Sequence, residues 1–275
     1  MKASILALGL ALSSVEALVP LKPSRMVPAP ARRTAVQAKV APTMALPGAL
    51  RVAAGLRGGA DFATVVAPAL GATIANVMFA SGFREVLDKR KAGKLGNFNP
   101  IPMPLIFGNC LGWLTYSFIK KDPFVAVANV PGLLLGVWYT MTCVRIAEPA
   151  QAKRIETVMM AMVAIHAVAG TASCFFLPDR AAMASLYGIV NNAILLAYYG
   201  APLSTIGQVL KEKSAASIYF PTVLINGING LFWSTYALAI NDMYLLAPNA
   251  IGAVLAGIQT FLCIVFGKFT GAEKK

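Results

Sequence analysis

The stretch NGLFWSTY at residues 229–236 repeats NCLGWLTY at residues 109–116, with a step of 120 residues along the chain. The same step carries three further residues of the first copy onto equivalents in the second: Asp122, Asn129 and Gly132 become Asp242, Asn249 and Gly252. The repeated residues are polar, aromatic or small ones set into apolar segments. Two copies of one helical hairpin predict two equivalent halves, related by a pseudo-symmetry axis.

The composition predicts an integral membrane protein. Of the 275 residues, 57% are hydrophobic and only 13% are charged, and the mean hydropathy is +0.67. Soluble domains carry about 25% charged residues. Each of seven apolar stretches has roughly the 20 residues that a helix needs to cross a bilayer, with no charge near its middle. These predicted spans cover about 61–83, 100–119, 123–145, 156–178, 181–203, 217–240 and 243–267.

The charged loops predict which side of the membrane each end occupies. Basic residues concentrate in the loops after spans 1, 3 and 5 and in the C-terminal tail, whereas the opposite loops hold Lys120, Lys121 and Arg180. The positive-inside rule therefore places the C-terminus on the cytosolic side. The formal net charge of +13 is explained by this bias and by a basic N-terminus, so it does not indicate a nucleic-acid partner.

The first 57 residues are typical of a targeting leader. Residues 1–14 have the basic start and short apolar run of a secretory signal, and residues 21–57 have seven basic and no acidic residues, as in a transit peptide. This order resembles the two-part leader of algae with secondary plastids, although Leu18 stands where an aromatic residue is usual. We expect a plastid envelope protein. The alternative is a plain secretory signal or a disordered tail, which would leave the protein in the plasma membrane or an endomembrane.

The residues that usually build reactive sites are sparse. Cys110, Cys143, Cys174 and Cys263 lie within predicted spans without Cys-x-x-Cys spacing, so we expect free, buried thiols. His166 is the one histidine, and we expect it to pack or form a hydrogen bond rather than relay protons. No catalytic set or metal cluster is evident. The sequence therefore predicts neither an enzyme nor a cofactor.

An all-α architecture of three, one and three helices follows from the repeat. Span 4 has no counterpart, so it returns the chain to its starting side, and the second triplet enters the membrane in the same direction as the first. The repeats are therefore parallel. The predicted segments are a leader at 1–57, a first repeat at 58–146, a linker helix at 147–178, a second repeat at 179–268 and a cytosolic tail at 269–275.

The turns within each repeat place a tryptophan and an asparagine at one depth. Trp113 and Asn129 lie eight residues on either side of the turn near residue 121, about 12 Å along each helix. Trp233 and Asn249 flank the turn near residue 241 in the same way. An indole face with neutral amides suits a sugar, which has C–H patches and a rim of hydroxyls. The alternative is that these residues only pack and link helices.

Several segments resemble the SWEET (MtN3/saliva) family of sugar transporters over about residues 61–268. The resemblance is carried by APLS at 201–204, KS at 213–214, NGLFWSTYAL at 229–238 and APNAIG at 247–252, with NCLGWLTY at 109–116 and ANVPG at 128–132. It implies a central sugar site of Trp113, Asn129, Trp233 and Asn249, with Asn109 and Asn229 influencing substrate size. It also implies an outer gate at Tyr116, Lys121, Tyr236 and Asp242, and a homotrimer as in many relatives.

The family also carries one helix-bending proline in each of four helices. Pro102, Pro202 and Pro221 match three of them, and Gly82 stands in place of the first-span proline. A glycine loosens a helix but keeps its N–H, so we expect a weaker or shifted hinge there.

The functional prediction is a facilitative, bidirectional uniporter for hexoses or sucrose that works by alternating access. Proton coupling would need a titratable group in the pathway, and the spans offer only His166. The bulk of Asn109 and Asn229 favours hexoses. The alternative is a PQ-loop-like carrier of another small neutral metabolite, although Gln208 and Gln259 lack a preceding proline.

Overall fold

The structure, a computed structural model, describes residues 61–266, and the regular elements within them are all helices. The predicted leader at 1–57 and tail at 269–275 lie outside the described residues. A π-helical turn at Phe62–Val66 leads into span 1, which is followed by six longer helices. The helices are α1 (Ala67–Ser81), α2 (Phe83–Ala92), α3 (Pro102–Lys120), α4 (Pro123–Ile146), α5 (Pro149–Phe175), α6 (Arg180–Glu212), α7 (Phe220–Ala239) and α8 (Met243–Val265).

Seven membrane-length segments are present within residues 61–266, as predicted: the π-helical turn and α1 form span 1, and α2 carries the charged residues that follow it. Five segments within the described residues are long and apolar enough to cross a membrane by length and composition: Phe62–Ala92, α4, α5, α6 and α8. The remaining two, α3 and α7, have 19 and 20 residues. These are the helices that carry the repeated asparagine, tryptophan and tyrosine. The polar residues of α3 and α7 lower the mean hydropathy of these two helices. Some of them, such as Asn109 and Asn229, line the interior of the protein rather than face lipid.

The two repeated hairpins close with matching turns. In each, the amide of the aspartate, Asp122 or Asp242, donates to the carbonyl five residues earlier at 2.9 Å. The residue before it adopts a left-handed conformation, with φ of 57° at Lys121 and 54° at Asn241. The 120-residue step in sequence is therefore also a repeat of backbone geometry.

The helices pack in a pattern that repeats between the two halves. In the first repeat, α4 contacts α1 and α3, and in the second, α8 contacts α6 and α7. Between the repeats, α3 contacts α6 and α7 contacts α1, so the second helix of each repeat meets the first helix of the other. The linker α5 packs on α3, α4 and α6. One close approach requires a glycine, since a Cβ at Gly71 would lie 2.9 Å from the Trp233 indole nitrogen.

The expected hinge positions are only partly found inside helices. Pro202 lies within α6, and Gly82 separates α1 from α2. Pro102 and Pro221, however, lie in the first turns of α3 and α7. A proline there removes no helical hydrogen bond, because the first amides of a helix have no partner within it. Pro102 and Pro221 therefore lie at helix starts rather than in helix interiors, and a hinge role for them stays a prediction.

Two other prolines, Pro131 in α4 and Pro248 in α8, do lie within helices. A proline has no N–H, so the carbonyl four residues earlier loses its helical donor. The affected carbonyls belong to Val127 and Tyr244. Each proline thus leaves one carbonyl of the third helix of its repeat without a backbone donor.

An asparagine from the first helix of the same repeat pairs with each of these carbonyls. The Nδ2 of Asn76 donates to Val127 at 3.3 Å, and the Nδ2 of Asn192 donates to Tyr244 at 3.0 Å. The two asparagines are 116 residues apart and the two prolines 117, rather than the 120 of the repeat. The bond in the second repeat therefore lies about one helical turn nearer the outer end than its counterpart in the first. The asparagine–carbonyl clamps therefore hold the first and third helices of each repeat together.

We predict that Asn192→Ala lowers stability by about 1 kcal/mol, the usual net value of such a bond. In a Pro248→Ala background, the new alanine N–H restores the helical bond to Tyr244, so the cost of Asn192→Ala should largely vanish. Thermal unfolding of the four variants in detergent measures this coupling. An equal cost in both backgrounds would contradict the clamp.

Candidate functional site

A cavity of about 640 Å³ lies between the two repeats. All six residues predicted for the central site line it: Asn109, Trp113, Asn129, Asn229, Trp233 and Asn249. None of the described residues that line the cavity is charged. The structure therefore brings the two sets of repeated residues to one neutral chamber.

The two tryptophans have equivalent surroundings. Trp113 packs edge-on against Tyr116, with ring centroids 5.5 Å apart, and Trp233 packs in the same manner on Tyr236 at 6.1 Å. The indoles are 5% and 6% exposed. Each ring is thus held by a tyrosine on the next turn of its own helix, and its accessible part borders the cavity.

The asparagines of the third helices are fixed by their own backbone. The Nδ2 of Asn129 donates to Val125 and that of Asn249 to Leu245, both at 2.8 Å. Each bond takes one of the two amide hydrogens. This bond fixes the orientation of each amide and leaves its side-chain oxygen and second hydrogen for other partners at the cavity.

The outer end of the cavity is closed by hydrogen bonds that cross between the repeats. The Tyr116 hydroxyl lies 2.8 and 2.7 Å from the two carboxylate oxygens of Asp242, and the Tyr236 hydroxyl donates to Asp122 at 2.9 Å. Each aspartate also caps the third helix of its own repeat by accepting backbone N–H bonds. We call this group, with Lys120, the outer mouth.

The lysine of the outer mouth differs from the expected one. Lys120 Nζ lies 3.2 Å from Asp242 Oδ2, whereas Lys121 is exposed and occupies the left-handed turn position. The left-handed turn at Lys121 ends α3, so the contact to Asp242 comes from the last helical residue. In the second repeat, Ile240 stands where Lys120 stands in the first, so the mouth is not symmetric in charge.

Burial raises the pKa of the Asp122 carboxyl above its ordinary value.

The cavity extends to the opposite end of the molecule. Ser217, Tyr219 and Thr222, around the start of α7, belong to its lining. This end also carries Lys211 and Lys213, which the charge pattern assigns to the cytosolic side. The cavity is therefore closed at the outer mouth and extends to the end of the molecule that the charge pattern predicts to be cytosolic.

Several lining residues were not predicted from the sequence. Asn226, Thr222 and Gln259 add polar groups to the inner half of the cavity. Asn226 could have been found, because spacings of three and seven residues put it on the same face of α7 as Asn229 and Trp233. The roles of Lys120 and Asp122 depend on contacts with residues more than 100 positions away, which no local pattern reveals.

The histidine and cysteines lie outside this cavity. The His166 Nε2 lies 2.7 Å from the Gly108 carbonyl, so this histidine forms a hydrogen bond, as expected. Cys110, Cys143 and Cys263 are buried and form no disulfide, but Cys174 is exposed. Among residues 61–266, no cluster of histidine, cysteine or acidic side chains could hold a metal.

Two three-helix repeats around a neutral cavity that is closed at one end define a multi-pass membrane carrier. A family model described as "Sugar efflux transporter for intercellular exchange" matches residues 68–149 and 185–270, more than half of the chain. The chain therefore belongs to the SWEET (MtN3/saliva) family, whose members are transporters and not enzymes.

Individual relatives agree with this family assignment, and a solved structure shares the fold. "Sugar transporter SWEET1" of Danio rerio is 25% identical over 69% of this chain and 86% of its own length. "Bidirectional sugar transporter SWEET5" of Arabidopsis thaliana is 28% identical over 66% of this chain and 76% of its own length. A solved eukaryotic SWEET transporter matches with a TM-score of 0.68 and 22% identity, covering 77% of this chain and all of that one. This last likeness shows the fold.

We predict that Tyr116→Phe favours opening of the outer mouth, because it removes a bond to a carboxylate, worth about 1.5–3 kcal/mol. Spin labels at Phe118→Cys and Leu238→Cys, exposed and equivalent positions near the mouth, report the opening as a longer distance. The exposed thiol at Cys174 is first replaced by serine.

The matched control for this prediction is Tyr139→Phe. Its hydroxyl donates to Phe79 at 2.8 Å, a bond within the first repeat. Removing it should leave the distance across the mouth unchanged. An unchanged distance in Tyr116→Phe as well would show that the crossed bonds do not hold the mouth shut.

Proposed function

We propose that this chain is a facilitative uniporter that carries sugars, hexoses or sucrose, in both directions by alternating access. The observation that supports this most directly is the neutral cavity, walled by two indoles and six carboxamides and closed at the outer mouth by the crossed hydrogen bonds. The family to which the chain belongs provides the substrate class. The names of the relatives, which are sugar transporters, agree with it.

The lining matches the chemistry of a sugar ring. The apolar faces of Trp113 and Trp233 suit the C–H patches of a pyranose, and the amides of Asn129 and Asn249 suit its hydroxyls. A charged solute would leave its charge without a partner in this cavity, at a high desolvation cost. The site therefore favours polar but uncharged, hydroxyl-rich solutes.

The distribution of polar contacts suggests which parts move. The crossed bonds of the outer mouth join different repeats, whereas the asparagine–carbonyl clamps of Asn76 and Asn192 lie within one repeat. We propose that each repeat moves as a unit. The crossed bonds break as the mouth opens, and the inner ends of the repeats then approach and close the other side.

We propose that the protein carries sugar down its concentration gradient, without coupling to the movement of an ion. The described lining has no carboxylate, lysine or arginine that could take up or release a proton at the sugar. The acidic residues nearest to the cavity, Asp122 and Asp242, are bound to tyrosines at its outer mouth.

We predict uptake of glucose or sucrose by liposomes that contain the purified chain, unaffected by a proton uncoupler. Trp233→Ala should lower the rate roughly tenfold or more, since it removes about 1.5–3 kcal/mol of apolar contact. Asn249→Ala should lower it as well. Initial rates with radiolabelled sugars measure both effects.

The third tryptophan provides the matched control. Trp138 stacks on Phe83 at 5.0 Å and does not line the cavity. Trp138→Ala protein that remains monodisperse in detergent should keep its uptake. If Trp233→Ala and Asn249→Ala also transport normally, the cavity is not the sugar site.

The membrane of residence is proposed to be a plastid envelope, on the composition of residues 1–57. A C-terminal fluorescent fusion of the full chain should mark the plastid rim in an algal cell. The same fusion without residues 1–57 should lose that location. A full-length fusion in the plasma membrane would refute the proposal.

A homotrimer is proposed on the family resemblance. Large apolar residues on the outer faces of the helices, such as Val168, Leu196 and Phe261, are exposed in the single chain. They suit lipid or a neighbouring copy equally well. The mass of the protein in detergent, corrected for bound detergent, distinguishes one chain from three.

A further inference from the structure

The symmetry of the cavity ends below the level of the tryptophans. At that level the repeats supply identical residues: Asn109 and Asn229, Trp113 and Trp233, Asn129 and Asn249. Toward the inner end they diverge, although equivalent positions still line the cavity. Met78, Phe79 and Ile106 of the first repeat stand opposite Tyr198, Tyr199 and Asn226 of the second.

The inner half therefore has one apolar wall and one wall with amide groups. Asn226 is exposed, and none of the described residues forms a hydrogen bond with its side chain. Thr222 lies one turn farther inward on α7, and Gln259 lines the cavity from α8. The two tyrosines contribute mainly ring faces, because the Tyr198 hydroxyl is buried and the Tyr199 hydroxyl donates to the Pro248 carbonyl.

The length of the cavity exceeds one sugar ring. Trp233, Asn226 and Thr222 follow one face of α7 at spacings of seven and four residues. Eleven residues of helix span about 16 Å. A six-membered ring of about 1.5 Å bonds, with its substituent oxygens, covers less than half of that. A ring held between the indoles thus leaves room for a second ring beside Asn226.

The size argument from sequence is weakened by the structure. In the sequence, the bulk of the Asn109 and Asn229 side chains favours a hexose over a larger sugar. Their side-chain oxygens are buried rather than exposed to the cavity, so part of each carboxamide is withdrawn from the space a substrate would fill.

We propose that the inner half of the cavity is a second sugar-ring subsite, and that the protein carries disaccharides bound across both subsites. One ring lies between Trp113 and Trp233. The other presents its hydroxyls to Asn226, Thr222 and Gln259 and its C–H face to Phe79 and Ile106. This inference rests on the proposed sugar transport and makes Asn226 a residue that sets substrate size.

The test compares sucrose and glucose in liposomes that contain the full chain. Wild-type protein should carry both, and sucrose should compete with glucose. Asn226→Leu should raise the half-saturating sucrose concentration roughly 3–10-fold more than that of glucose, the effect of one lost neutral hydrogen bond. Thr222→Val, which has nearly the same shape, should change the ratio in the same direction.

The matched control is Ile225→Leu, one residue away on α7. Ile225 is exposed but does not line the cavity, so the sucrose-to-glucose ratio should not change.

The outcomes separate the two proposals. Glucose transport with no sucrose transport or competition would overturn the subsite alone, as would equal effects of Asn226→Leu on both sugars. Failure to move any sugar would overturn the proposed function itself.

Discussion

The crossed tyrosine–aspartate bonds at the outer mouth are the constraint on which the observed arrangement depends. Asp242 is 3% exposed, and it accepts bonds from Tyr116 of the other repeat and from the backbone of its own helix. Asp122 does the same with Tyr236. A buried carboxylate without partners is costly, so a half-open mouth is unfavourable. The mouth is therefore closed with its bonds made, or open with its carboxylates hydrated.

The interior of each repeat is organised differently from the contact between repeats. Pro131 and Pro248 each leave a carbonyl unpaired, and Asn76 and Asn192 pair with those carbonyls from the neighbouring helix. These bonds cross no repeat boundary. A proline thus lies within α4 and within α8 without leaving the carbonyl four residues earlier unsatisfied in lipid, where such a group costs several kcal/mol. Motion between the repeats can then proceed while each repeat keeps its internal bonds.

Duplication also explains where the site is symmetric and where it is not. At the level of the two tryptophans, both repeats supply identical residues to the cavity. Lys120 and Ile240 differ at the outer mouth, and Ile106 and Asn226 differ at the inner end. A single symmetric site cannot distinguish the two sides of a membrane. The differences at the two ends give the cavity a distinct chemistry on each side, while the two indoles between them are the same in both repeats.

The sequence alone determined the membrane class, the seven spans, the two repeats and six residues that line the central cavity. Hydropathy and the 120-residue repeat can be read along the chain alone. Because the tight turn near Asp122 or Asp242 lies about midway between the tryptophan and the asparagine of its repeat, the two side chains are also expected at one depth. Only the tertiary structure decided that Lys120 rather than Lys121 reaches Asp242, and that Pro102 and Pro221 lie in the first turns of their helices. The physical reason is that a side chain's partner depends on helix rotation and on where each helix starts, and a shift of one residue turns a side chain by about 100°.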